Sequence, residues 1–201
     1  MLKIGIIGEP GPFAASLMAG FGDHMLKIGI IGEQCAGKTT VAELVSNHIG
    51  RCGFVKFAGP IYQTIAALGG KKNRKFMQEF SDVAKKYYGR DVFVRQFRNT
   101  VDWYENNGAS YKALICDDVR YPAEMEVVKE LGFMTVYVKA DMDVRLQRAR
   151  KQGLEFIQDH SSEHQVRTIG GMADKVIDNS CCSKEELEYQ IGSILQSTLA
   201  A

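Results

Sequence analysis

The sequence has few cysteines, and no two of Cys35, Cys52, Cys116, Cys181 and Cys182 are spaced as CxxC. Its histidines do not make up the lack. His160 and His164 stand four apart with Glu163 between them, and no further ligand is evident. A disulfide framework and a zinc site are therefore set aside, and reduced thiols are expected. Long apolar runs are also missing; none approaches the ~20 residues of a membrane span. FAASLMAGFG has a faint signal-peptide look, but Glu9, Pro10 and Pro12 break up any apolar region there. Neither sign of charge is in excess, since 25 basic and 24 acidic side chains give a formal net charge of +1. No global field draws the chain to nucleic acid or to a membrane. The expectation is a cytoplasmic protein, in the host cytoplasm if the source is viral.

What is present is an ordinary globular composition, 45% hydrophobic and 24% charged over 201 residues, enough for one domain with a real core. LKIGIIGE occurs twice, at 2–9 and 26–33. The first copy continues into two prolines, which remove backbone donors. The second continues into QCAGKTT. The domain is therefore expected to span 25–201, with 1–24 an appended leader or partial duplication.

Leu26–Ile31 is β-branched and apolar, as a buried parallel strand requires. Thr39–Ile49 has helical apolar spacing. Phe54–Phe57, Tyr111–Cys116, Phe133–Val138 and Lys175–Ile177 read as further strands. Helices are expected at Pro60–Leu68, Asn73–Tyr88, Asp91–Asn106, after Pro122, from Asp141 to about Lys151, and after the capping-box pattern Ser183–Glu186. The fold class is α/β: a parallel sheet of about five strands flanked by helices. A helical insert spans about 59–108.

Gly32-x-x-x-x-Gly37-Lys38-Thr39 is a complete phosphate-loop pattern between a strand and a helix. Glycines let successive N–H groups curl around an anion, and the helix N-terminus adds positive potential. Gly32, Gln34, Cys35, Ala36, Gly37, Lys38, Thr39 and Thr40 are expected to hold ATP. Lys38 should reach the β- and γ-phosphates, and the Thr39 hydroxyl should ligate Mg²⁺. Asp117 and Asp118 end the third strand. Strand alternation points them oppositely, so one should face the phosphates, with Asp118 favoured as metal ligand or acceptor-positioning acid. Arg120 can bind a phosphate bidentately. Arg145 and Arg148 can share a helix face, with Arg150 pointing elsewhere; of these Arg148 is the catalytic candidate. Gln78, Arg90, Arg95, Arg120, Arg145 and Arg150 are candidates for holding the acceptor.

Several stretches carry a resemblance: KFAGPIYQ (56–63), Gln78 followed by GRDVF (89–93), ICDDVRYPAEMEVVKELGF (115–133), and HSSE (160–163) before ADKVIDN (173–179). From Met25 to about Ile191 the chain resembles the phage-type deoxynucleoside monophosphate kinases, within the P-loop nucleoside monophosphate kinase group. The resemblance implies Mg²⁺-dependent phosphoryl transfer from ATP to a deoxynucleoside monophosphate. It also implies that Asp118 and Arg120 are paired motif residues and that a short lid lies at about 145–170. Tyr121 and Ala123 stand where the family has Phe and Asn, and Ser81-Asp82 where it often has Gly-Thr. The alternatives are another small-molecule kinase, of the dephospho-coenzyme A or phosphomevalonate type, or a non-catalytic ATP-binding regulatory module. The partners expected are small-molecule nucleotides, and a homodimer is left open.

Overall fold

The computed structural model describes residues 25–108, 110–154, 156 and 161–199. The expectations for residues 1–24 and for His160 lie outside the described residues. One sheet holds β1 (Leu26–Ile31), β2 (Cys52–Phe54), β3 (Ala113–Val119), β4 (Met134–Lys139) and β5 (Lys175–Asp178). All pairings are parallel, in the order β2-β3-β1-β4-β5. The helices among the described residues are α1 (Lys38–Ile49), α2 (Gly59–Ala67), α3 (Arg74–Tyr88), α4 (Val92–Asn107), α5 (Pro122–Glu130), α6 (Met142–Lys151), α7 (Ser161–Gly170) and α8 (Lys184–Leu199). None of them is long and apolar enough to cross a membrane.

Strand alternation divides the core into two faces. Ala113 and Ile115 of β3 join Ile28 and Ile30 of β1 against α1 (Val41, Val45, Ile49) and α8 (Leu187, Ile191, Leu195). Leu114 and Cys116 turn to the other face, where α4, α5 and α7 supply Phe97, Val101, Met125, Val128, Val166 and Ile169. Each such aliphatic side chain contributes about 1.5–3 kcal/mol on full burial. Phe97 stacks on Phe57 at 4.0 Å between centroids; its truncation to alanine would cost about 3–5 kcal/mol.

Helix ends follow local chemistry. Asn73 caps α3 by accepting from the Phe76 N–H at 3.0 Å. The Ser183–Glu186 capping box is present, with Glu186 N donating to Ser183 Oγ and Ser183 N to Glu186 Oε2. After α5, Gly132 takes φ +74, the left-handed conformation that closes a helix.

Three elements differ from the sequence reading. β2 ends at Phe54, because the Phe57 and Ala58 amides leave the ladder for the Asp118 carboxylate. β3 runs on to Val119, with both acids inside it. Gly29 pairs with Cys116 while Ile31 pairs with Val119, so β3 carries one extra residue there, and such a bulge breaks strict alternation. Asp117 and Asp118 consequently both reach the 56–58 turn instead of pointing oppositely. Helix α7 was not expected, since its mostly polar sequence offers only Val166 and Ile169 as buried apolar positions.

Candidate active site

The central strand β1 delivers the phosphate loop to the carboxyl edge of the sheet, where an open α/β sheet binds its ligand. The loop is tightly fitted. A Cβ at Gly32 would come 2.6 Å from the Val138 carbonyl oxygen, and Gly37 takes φ +103 as the residue preceding α1. Cys35 adopts φ +60, unusual for a non-glycine residue. Lys38 Nζ lies over the loop, donating to Gly32 O at 2.5 Å and Glu33 O at 2.9 Å. Thr39 and Thr40 are exposed in the first turn of α1. This cradle suits a triphosphate: backbone donors at a helix N-terminus, one ammonium and a hydroxyl for the accompanying cation. Among the described residues no group of three His, Cys, Asp or Glu could hold a metal by itself.

The sequence grouped the three arginines of α6; the structure separates their roles. Arg148 donates to the carbonyls of Cys35 (3.4 Å) and Ala36 (3.3 Å) and to Asn179 O (2.9 Å). Asn179 in turn donates to Ala36 O at 2.8 Å. Arg145, expected at the acceptor, is buried instead. It pairs with Glu33 at 3.0 Å and donates to Gln34 O at 3.4 Å, because a buried guanidinium requires an anion. Arg150 is exposed, turned away from both. Glu33 also receives Arg167 Nε at 2.7 Å and the Tyr137 hydroxyl at 3.3 Å.

The two acids of β3 are committed to the turn after β2. Asp117 is paired with Lys56. Asp118 accepts from the Phe57 amide at 3.1 Å, the Ala58 amide at 3.0 Å and the Cys116 thiol at 3.3 Å. Burial pushes the Asp118 carboxyl up, against the pull of those amides. Asp118 was expected as a magnesium ligand; in the structure Oδ1 accepts from the Phe57 amide and the Cys116 thiol, and Oδ2 from the Ala58 amide. For Lys56, burial alone would lower the pKa, but its hydrogen bond and charge pairing with Asp117 raise it above the ordinary lysine value. Arg120 is exposed just beyond β3, and its amide and that of Tyr121 donate to Glu124 Oε2 at 2.7 and 3.1 Å.

Between the end of β2 and helices α2 and α4 lies a cleft of about 430 Å³, lined by Phe54, Lys56, Tyr62, Gln63, Gln96 and Thr100 among others. Lys56 and Lys72 each stand over the Tyr62 ring, at 6.0 and 5.5 Å. Gln78, Arg90 and Arg95 are not in its lining. Gln78 and Arg90 are exposed, and Arg95 is bound to Asp91 at 2.7 Å and to the Tyr88 carbonyl at 2.7 Å. A wider groove of about 820 Å³ lies by the end of β5, lined partly by Asp141, Asp178, Glu185 and Glu186; so acidic a wall does not suit an anionic acceptor.

Glu33, Lys56, Gln96, Tyr137, Arg167 and Asn179 were not among the residues expected from sequence. Asn179 and Lys56 had a signal, lying in the ADKVIDN and KFAGPIYQ stretches; Glu33, Tyr137 and Arg167 depend on partners far along the chain, and Gln96 is singled out only by the cleft it lines.

A parallel five-stranded sheet with a phosphate loop after its central strand is the architecture of the P-loop NTPase fold. No protein-family model and no curated protein matches the sequence. Solved structures do match. A shikimate kinase from Bacteroides thetaiotaomicron aligns with TM-score 0.52 and 15% identity, over 89% of this chain and 100% of that one. A shikimate kinase from Aquifex aeolicus gives 0.51 and 15%, over 88% and 100%. A gluconokinase from Sinorhizobium meliloti gives 0.51 and 13%, over 87% and 94%. At these identities the likeness defines the fold, which is shared with small-molecule P-loop kinases.

Proposed function

We propose that the chain is a kinase that transfers the γ-phosphoryl group of ATP to a nucleoside monophosphate, with the 59–108 insert forming the acceptor side. The observation that carries this reading is the separate cleft at the end of β2, two strands along the sheet from the β1 strand that carries the phosphate loop. It offers an aromatic face (Tyr62), two amide side chains (Gln63, Gln96) and a cation (Lys56), the chemistry that recognises a flat, hydrogen-bonding, anionic ligand. The resemblance of residues 115–133 to the deoxynucleoside monophosphate kinases points the same way.

In this reading the loop amides, Lys38 and Arg148 hold the triphosphate. Thr39 would hold Mg²⁺, which would supply charge neutralisation when bound. An acceptor phosphate oxygen attacks the γ-phosphorus in line, and the bond to the β–γ bridging oxygen breaks to release ADP. A phosphate monoester has its second pKa at about 6, so the attacking oxygen is already ionised and needs no strong base. Asp118 serves by fixing the 57–58 amides that border the cleft, and Asp117 by holding Lys56. Arg120, exposed just beyond β3, meets the acceptor phosphate in this reading, a role that the resemblance of residues 115–133 supports.

A second reading is favoured by the fold matches: a small-molecule kinase with another acceptor, as in shikimate kinase and gluconokinase. ADP release measured against a panel of acceptors decides between them. The panel holds the nucleoside monophosphates, shikimate, gluconate, dephospho-coenzyme A and phosphomevalonate. Turnover with at least one monophosphate and none of the others is expected. ADP release only with a non-nucleotide acceptor would establish the second reading, and ATP binding without any turnover would indicate a regulatory module.

A further inference from the structure

Glu33 is the anomaly of the phosphate loop, a carboxylate at the first variable position of a segment built for anions. Its charge is not left facing the cradle. The side chain is 5% exposed, Oε1 takes Arg145 and Arg167, and Oε2 takes the Tyr137 hydroxyl. The two guanidinium groups differ in a way that assigns them different jobs. The Arg145 side chain is 4% exposed, whereas that of Arg167 is 51% exposed. Arg145 is the fixed anchor that makes a buried carboxylate tolerable. Arg167 is an arm reaching in from α7.

Helix α7 meets Glu33 by a second route. A Cβ at Gly170 would stand 2.7 Å from the Tyr137 ring, so the end of α7 lies directly on the tyrosine whose hydroxyl Glu33 accepts. On the loop side, the Glu33 carbonyl takes the Lys38 ammonium and the Ala36 amide. One residue thus joins the main chain that surrounds the phosphates to a helix more than a hundred positions away.

We propose that Glu33 is a positioning residue that couples α7 to the phosphate loop, with Arg167 as the arm of the coupling. A triphosphate bound by the loop amides fixes the Glu33 backbone, hence its carboxylate, hence the partner that Arg167 and Tyr137 meet. Linkage makes the effect reciprocal: ordering of α7 through Arg167 strengthens ATP binding. The inference rests on the reading that the loop binds ATP and is independent of the acceptor.

The test is amide hydrogen exchange of residues 161–170, with and without magnesium-ATP, alongside ATP affinity by calorimetry. In the wild-type chain ATP slows exchange in α7. Arg167→Ala abolishes that ATP-induced slowing and weakens ATP binding about tenfold, the scale of a moderate coupling. Tyr137→Phe gives a smaller loss of the same kind, and Arg167→Lys restores part of it. A purely structural arginine would instead lower α7 protection equally with and without ATP. An Arg167→Ala chain with unchanged ATP affinity and intact ATP-induced protection overturns the coupling while leaving the kinase reading standing. A wild-type chain that does not bind ATP overturns both.

Discussion

Asn179 donates its side-chain amide to the carbonyl of Ala36 at 2.8 Å, tying the segment after β5 to the phosphate loop after β1. Arg148 closes the triangle by binding both residues. The fit is close enough that a Cβ on Gly37 would lie 2.3 Å from Asn179 Nδ2. Gly37→Ala therefore meets a steric clash as well as a left-handed backbone, which alone costs about 1–2 kcal/mol. Denaturant unfolding should show at least that loss, and calorimetry should show weakened ATP binding.

Lys38→Met keeps the length of the side chain and removes its charge. Turnover should fall by at least ~10²-fold, as for loss of one transition-state charge partner, with little change in the far-ultraviolet spectrum. Steady-state rates near those of the wild type would end the proposed chemistry.

Asp118→Asn tests whether that carboxylate serves the turn after β2. One of the Phe57 and Ala58 amides would face a donor instead of an acceptor, at a cost of about 1–3 kcal/mol. The expected outcome is a loss of thermal stability together with a raised acceptor KM, while ATP affinity holds. Unchanged stability with a collapse of magnesium dependence would return Asp118 to the role of metal ligand.

Gln96 presents an unusual combination. Its Nε2 donates to Thr100 Oγ1 at 2.7 Å, and the Thr100 hydroxyl donates to the Gln96 carbonyl at 2.9 Å, which fixes the orientation of the amide. Oε1 is left buried with no partner. Because an unsatisfied buried acceptor destabilises, Gln96→Met should match or exceed wild-type stability. Its acceptor KM should nevertheless rise about tenfold, the worth of one lost hydrogen bond of about 1.4 kcal/mol. Kinetics and a melting curve on one variant check both signs.

Glu124 gives the pH dependence. Burial raises its carboxyl from 4.5 to about 7, against the Arg120 and Tyr121 amides that stabilise the anion. The folded chain therefore holds this proton more tightly than the unfolded chain. Its stabilising contribution is complete below about pH 4.5 and is lost as pH rises through about 7. Glu124→Gln should match the wild type at pH 5 and exceed it at pH 8 in melting temperature. A wild-type chain gaining stability across that window from this group would contradict the assignment.

How much was legible in the sequence depended on how far apart the interacting residues lie. The phosphate loop was readable because its parts are consecutive, and a glycine, a lysine and a threonine each state their purpose locally. The sheet was readable from runs such as LKIGII, where burial on both faces leaves no polar alternation. The turn at 56–58 was not, because what ends β2 is a carboxylate sixty residues later, delivered by a bulge that no local pattern announces. Arg145 was misplaced for a related reason. Helical spacing correctly put it beside Arg148, but only the fold brings Glu33 under it, and a buried pair looks in sequence like two surface charges. Gln78, Arg90 and Arg95 were chosen for their chemistry; the cleft is lined instead by Tyr62 and Gln63 of α2 and by another face of α4, where Gln96 follows Arg95 directly.

The packing of α8 against α1 has a consequence for biogenesis. Val41, Val45 and Ile49, which follow the phosphate loop directly, share their apolar face with Leu187, Ile191 and Leu195. During vectorial synthesis the first helix emerges long before the segment that covers it, so its greasy side stays uncapped while some 130 intervening residues are translated. A ribosome-bound nascent chain stopped short of α8 would consequently recruit chaperones, and the apolar face behind the phosphate loop would be closed only when synthesis is nearly done.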